Sequence, residues 1–163
     1  MLMEPDKLFL YPAALFASNK PFQVTTILGS CVSVCLWDPV LQIGGINHFM
    51  LPLWNGQGLA SPKYGNIAIQ KLIEKMIGYG TRKQNLRAKL FGGGEVITVN
   101  ISQFHIGDRN VMLAREILDE EKIPIISSSV GGKQGRKIIF FTKTGEVMHR
   151  FVGTDHFNSQ NKT

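Results

Sequence analysis

The chain has 163 residues, of which 44% are hydrophobic and 18% charged, and these proportions indicate a globular domain and exclude a disordered chain. Its two cysteines provide neither a disulfide framework nor a paired Cys-x-x-Cys zinc pattern, and its four histidines are dispersed, so we expect a reducing cytoplasm and no metal site. The net charge of +6 favours acidic partners, but no nucleic-acid-binding motif accompanies it, so we expect no nucleic acid ligand.

The N-terminal part contains an apolar run over residues 8–17. Glu4 and Asp6 precede the run, where a signal peptide carries basic residues, and Pro12 interrupts it. The run is also much shorter than the ~20 apolar residues needed to span a bilayer. We therefore expect no membrane insertion and one domain over residues 1–163, with a frayed polar tail after about residue 156.

The next elements form a predicted hairpin that brings a cysteine to a histidine. Asp38-Pro39 is a favourable turn opening, and the segments on both sides alternate like strands. A hairpin folded about Pro39-Val40 pairs Cys31 directly with His48. Such partners share a face and have Cβ atoms roughly 4.5–5.5 Å apart, so a thiol–imidazole contact is possible.

This pairing would suit nucleophilic catalysis. An imidazolium beside Cys31 would lower the pKa of the thiol, and a thiolate is the reactive form of cysteine. Gly29 permits a sharp turn, which would leave the backbone N–H groups near Ser30 and Cys31 free to bind an oxyanion. The alternative is that Cys31 is a buried structural cysteine. A disulfide with Cys35 is not expected, because four strand residues span about 13 Å.

Two helices and further strands follow. The first helix is predicted to open at Ser61-Pro62 and to end near Gly78 or Gly80, and the second follows Gly107-Asp108 with Asp108 as its cap. The second helix lies within a strand–helix–strand unit, which indicates an α+β fold with a mixed sheet arrangement. The predicted strands cover residues 24–28, 31–37, 42–49, 86–91, 123–129, 136–142 and 146–152.

Glycine clusters and basic residues occur in the second half of the chain. Residues 92–94 and 131–132 match no phosphate-binding pattern, so tight turns or close backbone approach are favoured over a phosphate cradle. The basic residues, Arg136 among them, are spread out and predict a solvated surface.

Four motifs together resemble the chemoreceptor glutamine deamidases of bacterial chemotaxis, the CheD family. The resemblance covers most of the chain and rests on residues 28–35 (LGSCVSVC), 44–52 (GGINHFMLP), 106–110 (IGDRN) and 131–137 (GGKQGRK). It implies a cofactor-free hydrolase that converts glutamine side chains on chemoreceptor cytoplasmic helices to glutamate. Cys31 would be the nucleophile, His48 the general base and Thr25 the third catalytic residue, although the residues themselves do not distinguish Thr25 from Thr26.

The resemblance also implies a fold and partners. The fold would be one of packed mixed β-sheets flanked by helices, similar to the catalytic domain of cytotoxic necrotizing factor toxins. Some members of the family form a complex with a CheC-type phosphatase. Two other functions stay open, namely a regulatory binding module that controls such a phosphatase, and transglutamination, in which an amine captures the thioester in place of water.

Overall fold

The computed structural model describes residues 4–95 and 105–152, and nine strands within them form two mixed sheets. The strands are β1 (Asp6–Phe9), β2 (Leu15–Ser18), β3 (Phe22–Leu28), β4 (Val32–Asp38), β5 (Ile43–Asn47), β6 (Arg87–Gly92), β7 (Ile125–Val130), β8 (Gly135–Phe141) and β9 (Val147–Val152). One sheet has the order β1-β3-β8-β9 and the other the order β2-β5-β4-β6-β7. Each combines one parallel pair, β1 with β3 or β6 with β7, with antiparallel neighbours.

Two helices, α1 (Gly65–Gly78) and α2 (Ile106–Glu120), pack on the five-stranded sheet, and a short 3₁₀ helix spans Lys83–Asn85. Strand β4 lies in the middle of that sheet and is covered on both faces. Val32, Val34 and Leu36 join the core beneath the helices, whereas Cys35 joins the core shared with β3 and β8 of the other sheet. Burial on both faces explains why residues 32–36 form a nearly continuous apolar run.

The α+β class and the mixed sheet arrangement are confirmed. The strand–helix–strand unit is confirmed as β6, α2 and β7, with β6 and β7 parallel. Two strands, β1 and β2, were not predicted. Each has only four residues, so an alternating pattern has just two positions on each face and is difficult to recognise in the sequence.

The predicted starts of both helices are wrong. Helix α1 begins at Gly65 and not at Ser61-Pro62, because the carbonyl of Lys63 accepts the backbone N–H groups of Met50 and Leu51 and the chain there follows that segment. Helix α2 begins before Asp108, which lies in its first turn and is not the cap.

The glycines at 92–94 and 131–132 make turns and close contacts, as predicted. Gly92 and Gly93 adopt positive φ, and a Cβ at Gly92 would overlap the carbonyl oxygen of Cys31. The predicted polar tail lies outside the described residues. Within residues 4–95 and 105–152, neither helix has the length and hydropathy that a membrane crossing requires.

Candidate active site

Cys31 lies in the turn between β3 and β4, and this turn leaves backbone donors available. The carbonyls of Gly29 and Cys31 accept the N–H groups of Gly94 and Gly93, at 3.0 and 2.9 Å. Within the described residues, 4–95 and 105–152, no acceptor binds the backbone N–H of Ser30 or Cys31. The turn at Gly29 and Ser30 thus keeps its carbonyls bonded and leaves two backbone N–H groups of the kind that bind an oxyanion.

His48 lies on the same face as Cys31, but the predicted register is wrong by two residues. Strands β4 and β5 pair Cys35 with Ile46, and an isolated bridge pairs Val32 with Phe49. Cys31 is therefore displaced from the position directly opposite His48. Because side chains alternate with a period of two, a shift of two residues preserves the common face.

The turn of the hairpin causes this shift. Asp38 pairs with Ile43, so the loop has four residues and not the two assumed from Pro39-Val40. The buried carboxylate of Asp38 accepts the backbone N–H groups of Val40 and Leu41, at 2.8 and 3.1 Å, and stabilises the longer turn.

The side chain that holds His48 is Thr26 and not Thr25. The Oγ1 atom of Thr26 lies 2.7 Å from Nδ1 of His48, and both residues are buried. Strand β3 directs Val24, Thr26 and Leu28 into the core between the sheets, so the side chain of Thr25 points to the opposite side of the strand. The prediction of Thr25 as the partner of His48 is corrected accordingly.

The contact fixes the tautomer of His48. The hydroxyl of Thr26 donates its one hydrogen to the carbonyl of Leu10 at 2.7 Å, since a carbonyl can only accept. The remaining bond at 2.7 Å must then run from Nδ1–H of His48 to Oγ1 of Thr26. Nε2 therefore carries the lone pair and is the nitrogen that can accept a proton.

Burial favours the uncharged forms of Cys31 and His48. Desolvation lowers the pKa of His48 to about 4, so the imidazole is neutral at pH 7. Desolvation also raises the pKa of the Cys31 thiol, and the backbone N–H of Cys31 opposes this only in part. The expectation that an imidazolium lowers the pKa of Cys31 is therefore wrong, and the resting pair is a thiol with a neutral imidazole.

The N-terminal segment also builds the site, which the sequence did not indicate. The carbonyl that orients Thr26 belongs to Leu10, and the backbone N–H of Leu10 donates to Thr25 at 2.8 Å. The backbone of His48 exchanges hydrogen bonds with Ala13 and Ala14, at 2.8 and 3.2 Å. Residues between β1 and β2 therefore fix both members of the Thr26–His48 pair.

Arg136 is buried, contrary to the prediction of a solvated surface. Its side chain donates to the carbonyls of Gly92 and Gly131, at 3.4 and 2.8 Å, and to Oγ of Ser129 at 3.0 Å. It also lies 5.0 Å from the ring centroid of Phe151. Arg136 therefore joins the two glycine loops beside the Cys31 turn, and the GGKQGRK motif was the signal that could have identified it.

One group of side chains has metal-ligating atoms close together. Glu95, His105 and Asp108 bring such atoms within 4.8 Å of one another at exposed or half-exposed positions. The carboxylate of Glu95 accepts the backbone N–H of Asp108 at 3.4 Å, and the carboxylate of Asp108 lies 3.5 Å from Nδ1 of His105. These contacts are typical of polar side chains at a helix N-terminus, and they explain why the three residues lie together at the start of α2.

Comparison with known proteins identifies the family of this chain. The family model described as CheD chemotactic sensory transduction matches residues 50–151. The chain is 49% identical over 142 residues to a protein of Trichlorobacter lovleyi named probable chemoreceptor glutamine deamidase CheD, covering 87% of this chain and 88% of the relative. The chain belongs to the CheD family.

Other CheD proteins are also similar to this chain over most of its length. A relative of the same name from Sulfurimonas denitrificans is 46% identical over 156 residues, which are 95% of this chain and 100% of the relative. A probable chemoreceptor glutamine deamidase CheD 1 from Anaeromyxobacter dehalogenans is 41% identical and covers 88% of this chain and 84% of its own. Among solved structures, the hypothetical protein YfiH of Bacillus licheniformis aligns with a TM-score of 0.47 and 18% identity, over 71% of this chain and 49% of that one.

Proposed function

We propose that this CheD-family protein hydrolyses glutamine side chains of chemoreceptors to glutamate, with Cys31 as the nucleophile and His48 as the general base. The observation that carries the proposal is the fixed tautomer of His48, whose Nε2 lone pair is available on the face that Cys31 shares. The names of the curated relatives support the reaction and its substrate.

The first half of the reaction forms a thioester. Nε2 of His48 takes the proton of the Cys31 thiol as the sulfur attacks the amide carbon of the glutamine side chain. The S–C bond forms and the carbonyl oxygen becomes an oxyanion, which the free N–H groups of Ser30 and Cys31 can bind. The imidazolium then gives the proton to the nitrogen, the C–N bond breaks, and ammonia leaves.

The second half hydrolyses the thioester. Neutral His48 accepts a proton from water as the water oxygen bonds to the acyl carbon, and the S–C bond breaks as the sulfur regains that proton. The net change is the exchange of an amide for a carboxylic acid at the cost of one water. Thr26 accepts from Nδ1–H throughout and keeps the ring oriented.

The remaining expectations follow from the same proposal. Substrates on cytoplasmic receptor helices place the protein in the cytoplasm, and the net charge of +6 suits helices rich in glutamate. We propose residues 1–163 as one deamidase domain without a cofactor, whose sheets resemble the catalytic domain of cytotoxic necrotizing factor toxins. A CheC-type phosphatase is the proposed partner beyond the receptor.

Peptide mapping by mass spectrometry tests the proposed function. A purified chemoreceptor cytoplasmic fragment is incubated with the wild-type protein or with Cys31→Ala, whose folding is checked by circular dichroism. We expect glutamine to become glutamate at discrete positions with the wild type only. No conversion by the wild type would overturn the proposal and favour the phosphatase-binding module, and an isopeptide product with added primary amine would favour transglutamination.

A further inference from the structure

Asn110 is a fully buried residue of α2 that contacts both halves of the candidate active site. Its Nδ2 lies 3.0 Å from the carbonyl oxygen of Ser30 and 3.0 Å from that of Met50. Carbonyls only accept, so the amide nitrogen must face them, and both of its N–H groups are used. One side chain therefore ties the residue before Cys31 to the segment that follows His48.

The bond to Ser30 has a geometric consequence for Cys31. In a planar trans peptide, the carbonyl of Ser30 and the N–H of Cys31 point in opposite directions. Holding that carbonyl toward α2 therefore aims the N–H of Cys31 away from α2. The backbone N–H of Cys31 partly stabilises the thiolate, which is consistent with this direction.

Within the described residues, no backbone N–H binds the carbonyl of Ser30, so the orientation of its peptide depends on Asn110. The carbonyls on either side of Ser30 are held by the backbone N–H groups of Gly94 and Gly93, whereas that of Ser30 is held by a side chain. Loss of the Asn110 amide therefore frees the peptide that carries the N–H of Cys31, and leaves two half-buried carbonyls without this donor.

We propose that Asn110 is a positioning residue for the reaction, because it orients the backbone N–H of Cys31 toward the oxyanion of the tetrahedral intermediate. This inference rests on the proposed function. The alternative is that Asn110 only satisfies two half-buried carbonyls, in which case its loss would disturb the whole site without distinguishing one chemical step from another.

Two reactions of Cys31 separate these roles. Deamidation develops an oxyanion, whereas alkylation by iodoacetamide displaces iodide and develops none. For Asn110→Ala we expect kcat for a receptor fragment to fall about 10²–10³-fold, with KM within about twofold. The alkylation rate should fall by less than about tenfold, because this N–H opposes the raised pKa of the thiol only in part. Ile117→Ala, which removes packing from the same helix, is the matched control and should change neither rate by more than about threefold.

The outcomes are distinct. An unchanged kcat, or an alkylation rate that falls in parallel with kcat, would overturn the inference.

If Asn110→Ala does not fold, the wild-type protein still gives a test without any receptor. A glutamine-derived peptide aldehyde adds to Cys31 as a hemithioacetal, and we expect a large NMR shift of the Cys31 amide proton on addition, whereas an unmoved signal would overturn the inference. A wild type that binds the aldehyde but converts no receptor glutamine would instead refute the proposed function.

Discussion

At the residue scale, the protonation of Cys31 and His48 determines how the thiol is activated. Burial lowers the pKa of His48 and raises that of Cys31, so in the proposed mechanism the pair starts uncharged and a thiolate forms only as the proton moves to Nε2. This differs from sites in which a preformed ion pair supplies the thiolate. The buried imidazole is neutral at physiological pH, so its Nε2 is free of a proton and can act as a base, although the lowered pKa makes it a weaker base than an ordinary imidazole.

The pH dependence follows from these shifts. His48 must be neutral to act as a base, and its pKa of about 4 lies below the ordinary 6.5, so the acidic limb of kcat/KM should fall near pH 4. We expect deamidation to change little between about pH 5.5 and 7.5. Alkylation of Cys31 should rise with pH, with a midpoint above that of an ordinary thiol. An inflection of kcat/KM near pH 6.5, or an alkylation rate that has already reached its maximum at neutral pH, would contradict this description.

Two adjacent threonines give a matched pair of variants. Thr26→Val removes the hydroxyl that accepts from Nδ1–H of His48, so we expect kcat to fall roughly 10- to 100-fold as the ring loses its orientation. Thr25→Val changes the opposite side of β3 and should stay within about threefold of wild type. Steady-state deamidation of a receptor fragment measures both. Equal losses, or a larger loss for Thr25→Val, would restore the sequence-based prediction.

The sequence contained a signal that favours Thr26. In β3 the apolar residues Phe22, Val24 and Leu28 occupy even positions, and Gln23 occupies an odd one. That alternation places position 26 on the buried face together with Val24 and Leu28. The bond from Thr26 to the carbonyl of Leu10 could not be predicted, because it depends on how an irregular segment returns to the strand.

At the scale of elements, the glycine loop after β6 forms the wall behind Cys31. Gly92 has φ +108°, and a Cβ there would overlap the carbonyl oxygen of Cys31, whereas Gly131 has φ +79° and open space around its Cβ position. We expect Gly131→Ala to lower the free energy of unfolding by about 1–2 kcal/mol through backbone strain alone. Gly92→Ala should cost more and should also lower deamidation. Urea unfolding of both variants measures this, and equal losses would show that contact with the Cys31 turn is unimportant.

The hairpin shows which parts of an element the sequence determines. The strands and their shared face were predictable, because a hairpin loop with an even number of residues keeps Cys31 and His48 on the same side. The register was not, because it depends on the loop length, and the Asp38 carboxylate stabilises a four-residue turn where proline suggested two. Prediction from pattern therefore gave the face of each side chain and missed its position along the strand.

At the scale of the whole molecule, the site lies where two sheets meet. Cys31 and His48 belong to the five-stranded sheet or its borders and Thr26 to the four-stranded sheet, so the Thr26–His48 bond crosses the interface between them. Composition and periodicity predicted an α+β fold with mixed strands. How the two sheets pack, and the contribution of β1 and β2, depend on long-range pairing that local patterns do not encode.

The most direct measurement of the central claim is the mass of the enzyme during turnover. A receptor-derived glutamine peptide is mixed with the protein, the reaction is quenched in acid, and the fragment that contains Cys31 is analysed. We predict an adduct equal to the peptide less ammonia on Cys31, which decays as the glutamate peptide forms, and neither species with Cys31→Ala. Formation of glutamate by Cys31→Ala at the wild-type rate would contradict the account.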